Sequence, residues 1–446
     1  MKEKTRIQLS DHFTYSRLIR FVMPSIAMMI FTSIYSVVDG LFVSRFVGKE
    51  AFTSINLVMP LLIILGAVGF MLGAGGTAIV AKTFGMKNPK LANEYFSLLI
   101  YVAAGLGVLL GVLGIIFARP VSAMLGATGE ILDYCTVYAT IVLAALPFFM
   151  LQNIFQSFLI AAEKPKLGLY ITVGAGVTNI VLDALFVGLF SWGLIGAAVA
   201  TAISQFIGGI VPVIYFSTKN SSLLRLGKTK FYARMLLDAC INGSSELMSN
   251  IAMSVSTMLY NAQLMRFAGN DGVAAYGVVM YVAFIFVSIF IGFSIGSAPV
   301  IGFHYGADNR DELKNLRKKG FLLVFLVGVA MTLLAIALAT PMSRVFVGYD
   351  VALYEMTLRG FIIYAFSYLL AGINIFGSAF FTALNNGVIS AIISFLRTLV
   401  FQCATVLLLP LILGLDGVWF SIILSEVLSG AVTLGFVALK QKKYGY

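Results

Sequence analysis

The sequence has little charge. Only 11% of its 446 residues are Asp, Glu, Lys or Arg, whereas soluble globular domains have about 25%. Hydrophobic residues make up 60% of the chain and stand in runs of about 20 residues or more, the length that a helix needs to cross a bilayer. A transmembrane barrel would instead show alternating segments of about ten residues. The composition therefore excludes a water-soluble protein and predicts an all-α polytopic membrane protein.

Residues that carry metal or covalent chemistry are also scarce. The chain has two histidines and three cysteines, and Cys135, Cys240 and Cys403 stand apart inside apolar runs, without the spacing of a metal site. His-Glu-x-x-His and Gly-x-x-x-x-Gly-Lys-Ser/Thr motifs are both missing from the sequence, which argues against a zinc protease and against ATP as a direct energy source. We expect buried free thiols, no organic cofactor and no enzymatic activity.

Apolar windows of about 20 residues predict twelve transmembrane helices. They lie near residues 18–44, 54–81, 94–118, 134–161, 167–190, 193–217, 235–267, 273–301, 318–342, 353–383, 388–413 and 417–439. Between the fifth and sixth spans, Phe190-Ser-Trp-Gly predicts a tight turn with Trp192 at the interface. The first twenty residues are basic and have no apolar core followed by a cleavage site, so we expect the first span to be retained.

Basic residues are distributed unequally between the two sides that these spans define. With both termini on one side, that side has 23 of the 30 Lys and Arg residues and the other side has five, while Arg359 and Arg397 lie near or inside spans. The positive-inside rule then predicts cytoplasmic termini. The basic termini and the lack of a targeting signal suit a multi-pass protein of the plasma (inner) membrane. Basic loops at a lipid surface also account for the net charge of +11, so no nucleic-acid partner is expected.

The sequence contains an internal repeat. An offset of 221 residues aligns Arg45-Phe-Val-Gly48 with Arg266-Phe-Ala-Gly269, and it aligns Phe84-Gly85 with Tyr305-Gly306. Because six spans separate the matched positions, the halves would be parallel repeats, as in many transporters. We therefore predict two pseudo-symmetric six-helix bundles. The chain would then divide into an N-terminal lobe (residues 1–217), a basic cytoplasmic linker (218–234) and a C-terminal lobe (235–446).

Two acidic residues stand inside predicted spans of the first half. Asp39 follows Val37-Val38, and Asp183 lies four residues after Asn179, so that Asn179 and Asp183 share one face of a helix. A carboxylate at bilayer depth costs about 2.5–3.5 kcal/mol on insertion scales and therefore faces a partner, a cavity or an ion. Two such acids can take up a proton, and carboxylate, amide and hydroxyl oxygens equally suit a hard cation. The residues do not decide between H⁺ and Na⁺.

These features together resemble the multidrug and toxic compound extrusion (MATE) family over nearly the whole chain. The most specific motifs are Met23-Pro24, Val37-Val-Asp39-Gly40, Gly85-Met-Lys-Asn-Pro-Lys and Asn179-Ile-Val-Leu-Asp183. The resemblance implies an ion-coupled exporter. It further implies that Asp39 and Asp183 are the ionisable pair, with Asn179 and Thr201 as oxygen donors.

Three further expectations come from the same resemblance. Tyr138 would be a hydrogen-bonding neighbour of the acids, and Pro24 would be where the first helix bends as the site protonates. The second half departs from family members that carry a coupling acid there, because Tyr260 stands at the counterpart of Asp39 and Thr405 at that of Asp183. A second ion site is therefore in doubt.

The roles of several other polar and aromatic residues can be interpreted in two ways. Glu246, near the start of the seventh span, either attracts a cationic substrate or lies at the interface, whereas Glu426 is expected to pair with Arg397 in a structural salt bridge. The residues expected to contact substrate are Asp183, Glu246 and four neighbours, which are Phe149, Met150, Gln152 and Asn153. Met and aromatic side chains suit varied lipophilic ligands, but most of them only pack helices.

We predict a monomeric antiporter that exports small lipophilic, cationic organic molecules by alternating access between two lobes. The alternative is a lipid-linked oligosaccharide flippase of the same superfamily. An intramembrane aspartyl protease is disfavoured because neither acid stands in a Tyr-Asp or Gly-x-Gly-Asp context. A passive channel is disfavoured because the sequence has no filter-like motif.

Overall fold

Helices make up nearly all of the protein. The computed structural model describes residues 7–446, with the backbone alone at 41, 44, 49 and 52, so the basic residues Lys2, Lys4 and Arg6 lie outside it. Within this range, nine apolar helices are long enough to cross a membrane, and two bent helix pairs do so jointly. One of the nine, Ala233–Gly306, is divided by the non-helical backbone of Gly269 (φ 60°, ψ −148°). The twelve predicted spans are therefore confirmed.

We number the spans α1–α12. The first six are α1 (Tyr15–Phe46), α2 (Lys49–Gly85), α3 (Pro89–Met124), α4 (Gly129–Ala144 and Leu146–Ala161), α5 (Pro165–Asp183, continued by the π-helix Ala184–Leu189) and α6 (Gly193–Ser217). In the second half, Gly269 separates α7 (233–268) from α8 (270–306), and α9 is Arg310–Val347. The last three are α10 (Val351–Ala365 and Tyr368–Ala383), α11 (Gly387–Phe395, π-helix Leu396–Phe401, Gln402–Leu408 and Pro410–Leu413) and α12 (Leu415–Tyr444).

The repeat seen in the sequence is also a repeat of backbone geometry. The fourth span bends by 55° after Ala144 and the tenth bends by 46° after Ala365. Turns at matching positions of the two halves use left-handed backbone angles, in the pairs Gly48 and Gly269, Lys87 and Asp308, and Glu163 and Asn385. Two pseudo-symmetric halves are thus confirmed, while the domain boundaries at 217 and 234 stay a prediction.

The helices of each half pack mainly against one another, and the halves meet along α1 and α2 on one side and α7 and α8 on the other. Since the number of spans is even, both chain ends lie on one side, which we call the terminal face. Glycines make the close approach possible. A side chain added at Gly75 would strike the backbone of Ala239, and one added at Gly243 would strike the backbone of Met71. These positions lie in the halves of α2 and α7 nearer the terminal face, where the bundles are therefore closed.

The glycine contacts predict that a single methyl group will loosen this closure. In Gly243→Ala, the new Cβ meets the Met71 carbonyl, which belongs to a backbone and has no flexible end that could yield. Spin labels are attached at positions 90 and 314, one in each bundle, after Lys90 and Lys314 are replaced by cysteine in a background without the native cysteines. We expect double electron–electron resonance to show a larger share of long distances between the two labels in Gly243→Ala than without this substitution. Gly277→Ala is the matched control, because its Cβ would meet nothing within 4 Å. Identical distance distributions in the two variants would show that the contact does not hold the face closed.

Residues 7–14 form a strap across the terminal face. Leu9 and Phe13 are fully buried in the core of the second half, and the Leu9 amide donates to a carboxylate oxygen of Glu163 in the first half (2.9 Å). The carboxylate of Glu312 binds the other end of the strap. It lies 2.6 Å from Nδ1 of His12 and accepts a hydrogen bond from the Phe13 amide (2.9 Å). The strap therefore joins both halves.

Removal of the Glu312 carboxylate will destabilise the protein. Glu312→Ala leaves the buried Phe13 amide without its acceptor, and hydrogen bonds to charged groups contribute about 1.5–3 kcal/mol. We expect a clear fall in the thermal unfolding midpoint in detergent. Asp311→Ala is the control, since Asp311 also lies in the first turn of α9 but is exposed. Equal midpoints for the two variants would refute the anchoring role of Glu312.

Candidate functional site

The two acids of the first half lie side by side. Asp39 projects from α1, and Asp183 is the last residue of the regular part of α5, just before the π-helix Ala184–Leu189. Asp183 is fully buried, and the two carboxyl groups are close enough to share a hydrogen bond when one of them is protonated. Single π turns inside helices often mark functional sites. The predicted pairing of the two acids is thus present in the geometry.

The site contains a group of buried oxygen atoms without hydrogen-bond donors. In the part of the chain that the structure describes, no donor reaches Oδ1 of Asp39, Oδ1 of Asn179 or either carboxylate oxygen of Asp183. Buried polar atoms are nearly always paired, so several unpaired oxygens in one place call for an explanation. A bound proton or a hard cation would satisfy them, because all four are oxygen acceptors.

Tyr138 and Thr201 complete the group. The phenol of Tyr138 is 2% exposed, lies within hydrogen-bonding reach of the Thr201 hydroxyl, and faces both acids. Asp39, Asp183, Tyr138 and Thr201 all lie within nine residues of the ends of their spans that are remote from the terminal face. At 1.5 Å per residue, this is a depth of about 9–14 Å. Four helices therefore deliver polar groups to one level.

Tyr35 belongs to the site although it was not predicted. Its ring is close to Gly176 on α5, where a side chain would leave no room, and its phenol lies near the Asp39 carboxylate, with the Ser36 hydroxyl within hydrogen-bonding reach. The sequence contains a signal for this position, since Tyr35 and Asp39 are four residues apart and share one helix face. Aromatic residues are so frequent in this chain that the spacing alone did not single it out.

Comparison with known proteins identifies the family. A family model described as MatE matches residues 24–185 and 247–431. The chain belongs to the MATE family. It is similar to the multidrug export protein MepA of Staphylococcus haemolyticus strain JCSC1435, with 25% identity over 339 residues that cover 76% of this chain and 75% of that protein. It is also similar to MepA of Staphylococcus aureus strain MRSA252, with 23% identity, covering 98% of this chain and 97% of that one.

Solved structures share the fold. An outward-facing multidrug resistance MATE family transporter of the MOP superfamily superposes with a TM-score of 0.93 at 21% identity, covering 100% of both chains. The crystal structure of a MATE protein in the straight conformation also gives a TM-score of 0.93, at 20% identity and again over 100% of both chains. At this level of identity, the likeness concerns the fold alone. It confirms the all-helical architecture.

Pro24 lies far from the acids in this MATE protein. It is buried within α1, which continues as one helix from Tyr15 to Phe46, and 15 residues separate it from Asp39, or about 22 Å of helix. Its neighbours Ser25 and Ile26 instead pack against Gly292 of α8. A bend at Pro24 would therefore act at the junction of the two bundles, and its link to protonation stays a prediction.

Four of the residues expected to bind substrate lie deeper than the acids. Met150 stands 12 residues after Tyr138 on α4, about 18 Å farther along the span, beyond the bend. Met150, Gln152 and Asn153 are buried, and the Asn153 amide donates to the Gly66 carbonyl (3.3 Å). Phe149 is half-buried against Gly66. These side chains pack helices of the first bundle, and their contact with substrate stays a prediction.

Glu246 is 13 residues inside α7, about 20 Å from its start. It therefore lies near the middle of the span rather than at its entrance. It stands three residues after Gly243, on the helix face that contacts α2. No ion pair involves Glu246 in residues 7–446. A half-buried acid at the junction of the bundles is placed where a cation between them would meet it.

The corresponding region of the second half is built differently. Tyr260, the counterpart of Asp39, stacks on Tyr276 with ring centroids 5.3 Å apart. Thr405, the counterpart of Asp183, donates to the Ser421 carbonyl (3.0 Å). Packing and hydrogen bonds thus occupy both positions where the first half has acids.

The predicted salt bridge of the second half is confirmed. Nη2 of Arg397 lies 2.7 Å from Oε1 of Glu426, and Nε lies 3.0 Å from the same oxygen. The Asn374 amide donates to the other carboxylate oxygen (2.6 Å), and Thr433 donates to the Asn374 carbonyl oxygen (3.0 Å). Glu426 is therefore already neutralised by a resident cation, in contrast with Asp39 and Asp183.

Proposed function

We propose that this MATE protein is an antiporter that exports small lipophilic, mainly cationic organic compounds in exchange for inward flow of H⁺ or Na⁺. The observation that carries the proposal is the group of unpaired oxygens on Asp39, Asn179 and Asp183. The relatives named multidrug export protein support the substrate class. The proposal includes no enzymatic activity, and its only partners are lipid and small molecules.

The site suits either coupling ion. Two carboxylates, one amide oxygen and the Thr201 hydroxyl are the hard oxygen ligands that Na⁺ prefers. Two buried carboxyl groups in contact also favour sharing one proton over carrying two negative charges, because like charges repel strongly at low dielectric. The choice of ion therefore needs measurement.

Coupling requires that ion and substrate stabilise different states of the transporter. In the geometry described, the bundles are closed near the terminal face, which we propose is the cytoplasmic side. A cation attracted by Glu246 and the acid pair would neutralise them in this state. Inward-moving ions would then displace the cation and neutralise the acids in turn, and rocking of the two bundles would reopen the terminal face.

The proposal is tested by ethidium efflux from proteoliposomes that contain the purified full-length protein. Inward pH and Na⁺ gradients are imposed separately, with a valinomycin-clamped potential in both cases. We expect one gradient to drive efflux well above that of protein-free vesicles. Absence of efflux under both gradients would contradict cation antiport. Transfer of a lipid-linked oligosaccharide across the same vesicles would then be measured, since that is the alternative function.

A further inference from the structure

A cavity of about 740 Å³ with both polar and apolar lining residues lies on the terminal face, away from the acid pair. Its walls come from both halves of the protein, namely the last turn of α2, the first turn of α3, the first turns of α7 and the turn that precedes α11. Its volume is within the range of small-molecule sites. A ligand in this cavity would touch both bundles at once.

Two cationic side chains line the cavity without an acidic partner. Lys82 of α2 lies over the ring of Tyr305 (5.1 Å), and Arg234 of α7 is exposed; neither forms an ion pair with any residue in the range 7–446. Asp238 is the one acid among the lining residues, so the lining itself has a positive balance. The Glu94 carboxylate lies behind the rim, where it accepts a hydrogen bond from the Tyr232 hydroxyl. An anion that reaches both Lys82 and Arg234 would form an ion pair with each of them.

The lining also has groups that suit a phosphate ester with a polar head. The amide nitrogen of Asn242 donates to the Thr382 carbonyl (2.9 Å), but its buried amide oxygen accepts no hydrogen bond from the chain as described. Tyr95 and Tyr232 lie edge to face, 5.1 Å apart, at the rim, a position typical of tyrosines at a membrane interface. The hydroxyl groups of a headgroup would donate hydrogen bonds to the amide oxygen of Asn242 and to the carboxylate of Asp238.

Exposed apolar residues indicate where such a ligand comes from. Met86, Ile241 and Val388 border the same cavity and are 61%, 42% and 59% exposed. The cavity stands at the ends of four spans, at the level where headgroups meet acyl chains. Basic pockets between helices at this level bind anionic lipid headgroups. A free phosphate ion would use the cations but would gain nothing from the apolar border.

We propose that this cavity binds the headgroup of an anionic glycerophospholipid from the leaflet of the terminal face, with Lys82 and Arg234 on its phosphate and Asp238 and Asn242 accepting from its polar head. Since Lys82 and Arg234 belong to different bundles, the bound lipid stabilises the state in which the terminal face is closed. This last consequence rests on the proposed alternating access, whereas the binding itself does not.

The test measures binding and is independent of transport. The purified full-length protein is titrated in detergent with phosphatidylglycerol, phosphatidylcholine or inorganic phosphate, and bound lipid is counted by native mass spectrometry. We expect phosphatidylglycerol to bind wild type in preference to phosphatidylcholine. Lys82→Gln and Arg234→Gln should each weaken that binding about fivefold, as expected for one cation near a lipid phosphate. Lys90→Gln, an exposed lysine outside the cavity, should leave it unchanged.

The other outcomes overturn the proposal. Equal loss in Lys90→Gln would indicate a diffuse surface charge rather than a built site. Competition by inorganic phosphate at millimolar concentration, without a preference among lipids, would indicate a soluble anion. Unchanged lipid binding in both cavity variants would place the lipid elsewhere. Because each variant is judged separately, failure of one to fold leaves the other as a test.

Discussion

Asp39→Asn is expected to abolish ion-driven efflux. The substitution keeps the shape of the side chain but removes its charge and its proton, so the pair formed with Asp183 can no longer exchange an ion. Efflux of ethidium under the effective gradient should fall to the level of protein-free vesicles. Binding of ethidium in detergent should persist more than transport, because Asp183 and Glu246 remain.

A control separates this effect from general loss of negative charge. Glu130 lies in the first turn of α4, on the side remote from the terminal face, and is exposed. Glu130→Gln should transport at the wild-type rate. If Asp39→Asn also retained gradient-driven efflux, the acid pair would not be the coupling site, and the unpaired oxygens would need another explanation.

Arg397→Ala is expected to cause the largest loss of stability. The substitution leaves the Glu426 carboxylate buried in the second bundle with its cation removed, and breaking a buried ion pair in this way costs about 3–5 kcal/mol. The free energy of unfolding, measured by titration from mild detergent into dodecyl sulfate, should fall by this amount. Arg359→Ala is the comparison, because the Arg359–Asp416 pair is more exposed and should change stability by about 0–1 kcal/mol.

The double variant Arg397→Met, Glu426→Gln tests whether the pair is structural. It removes both charges while an amide remains to bond with Asn374, so most of the lost stability should return. Gradient-driven efflux in the double variant should match that of wild type, because the coupling site lies in the other half. A stable double variant without efflux would instead give Arg397 and Glu426 a part in transport.

Much of the fold could be predicted because it depends on simple quantities. The length of the apolar runs determined the twelve spans, and the break at Gly269 coincides with the boundary between the predicted seventh and eighth spans. The bend after Ala144 has one signal in the sequence, Pro147, which stands at the start of the next helical segment. The bend after Ala365 could not be predicted, since both of its sides are equally apolar and no proline stands beside it. The strap was also missed, because its contact with Glu312 joins residues about 300 positions apart.

The site could be predicted at the residues whose burial in a membrane costs much free energy. A carboxylate among aliphatic residues is rare, so Asp39 and Asp183 were conspicuous in the sequence. Met150 is not costly in a span, so its depth could not be inferred from the sequence. Gln152 is a polar residue in an apolar span, but its depth depends on the bend within α4, which the apolar pattern does not show. The π-helix after Asp183 and the nearby phenol of Tyr35 depend on packing between α1 and α5, which periodicity alone does not determine.

Linkage between ion and substrate tests the central claim most directly. If both are coupled through the acid pair, each must weaken the binding of the other by the same factor. Ethidium affinity would be measured by calorimetry in detergent as a function of pH at constant Na⁺, and of Na⁺ at constant pH. The account predicts that one of the two ions weakens ethidium binding in wild type and no longer does so in Asp39→Asn. An affinity independent of both pH and Na⁺ would contradict it.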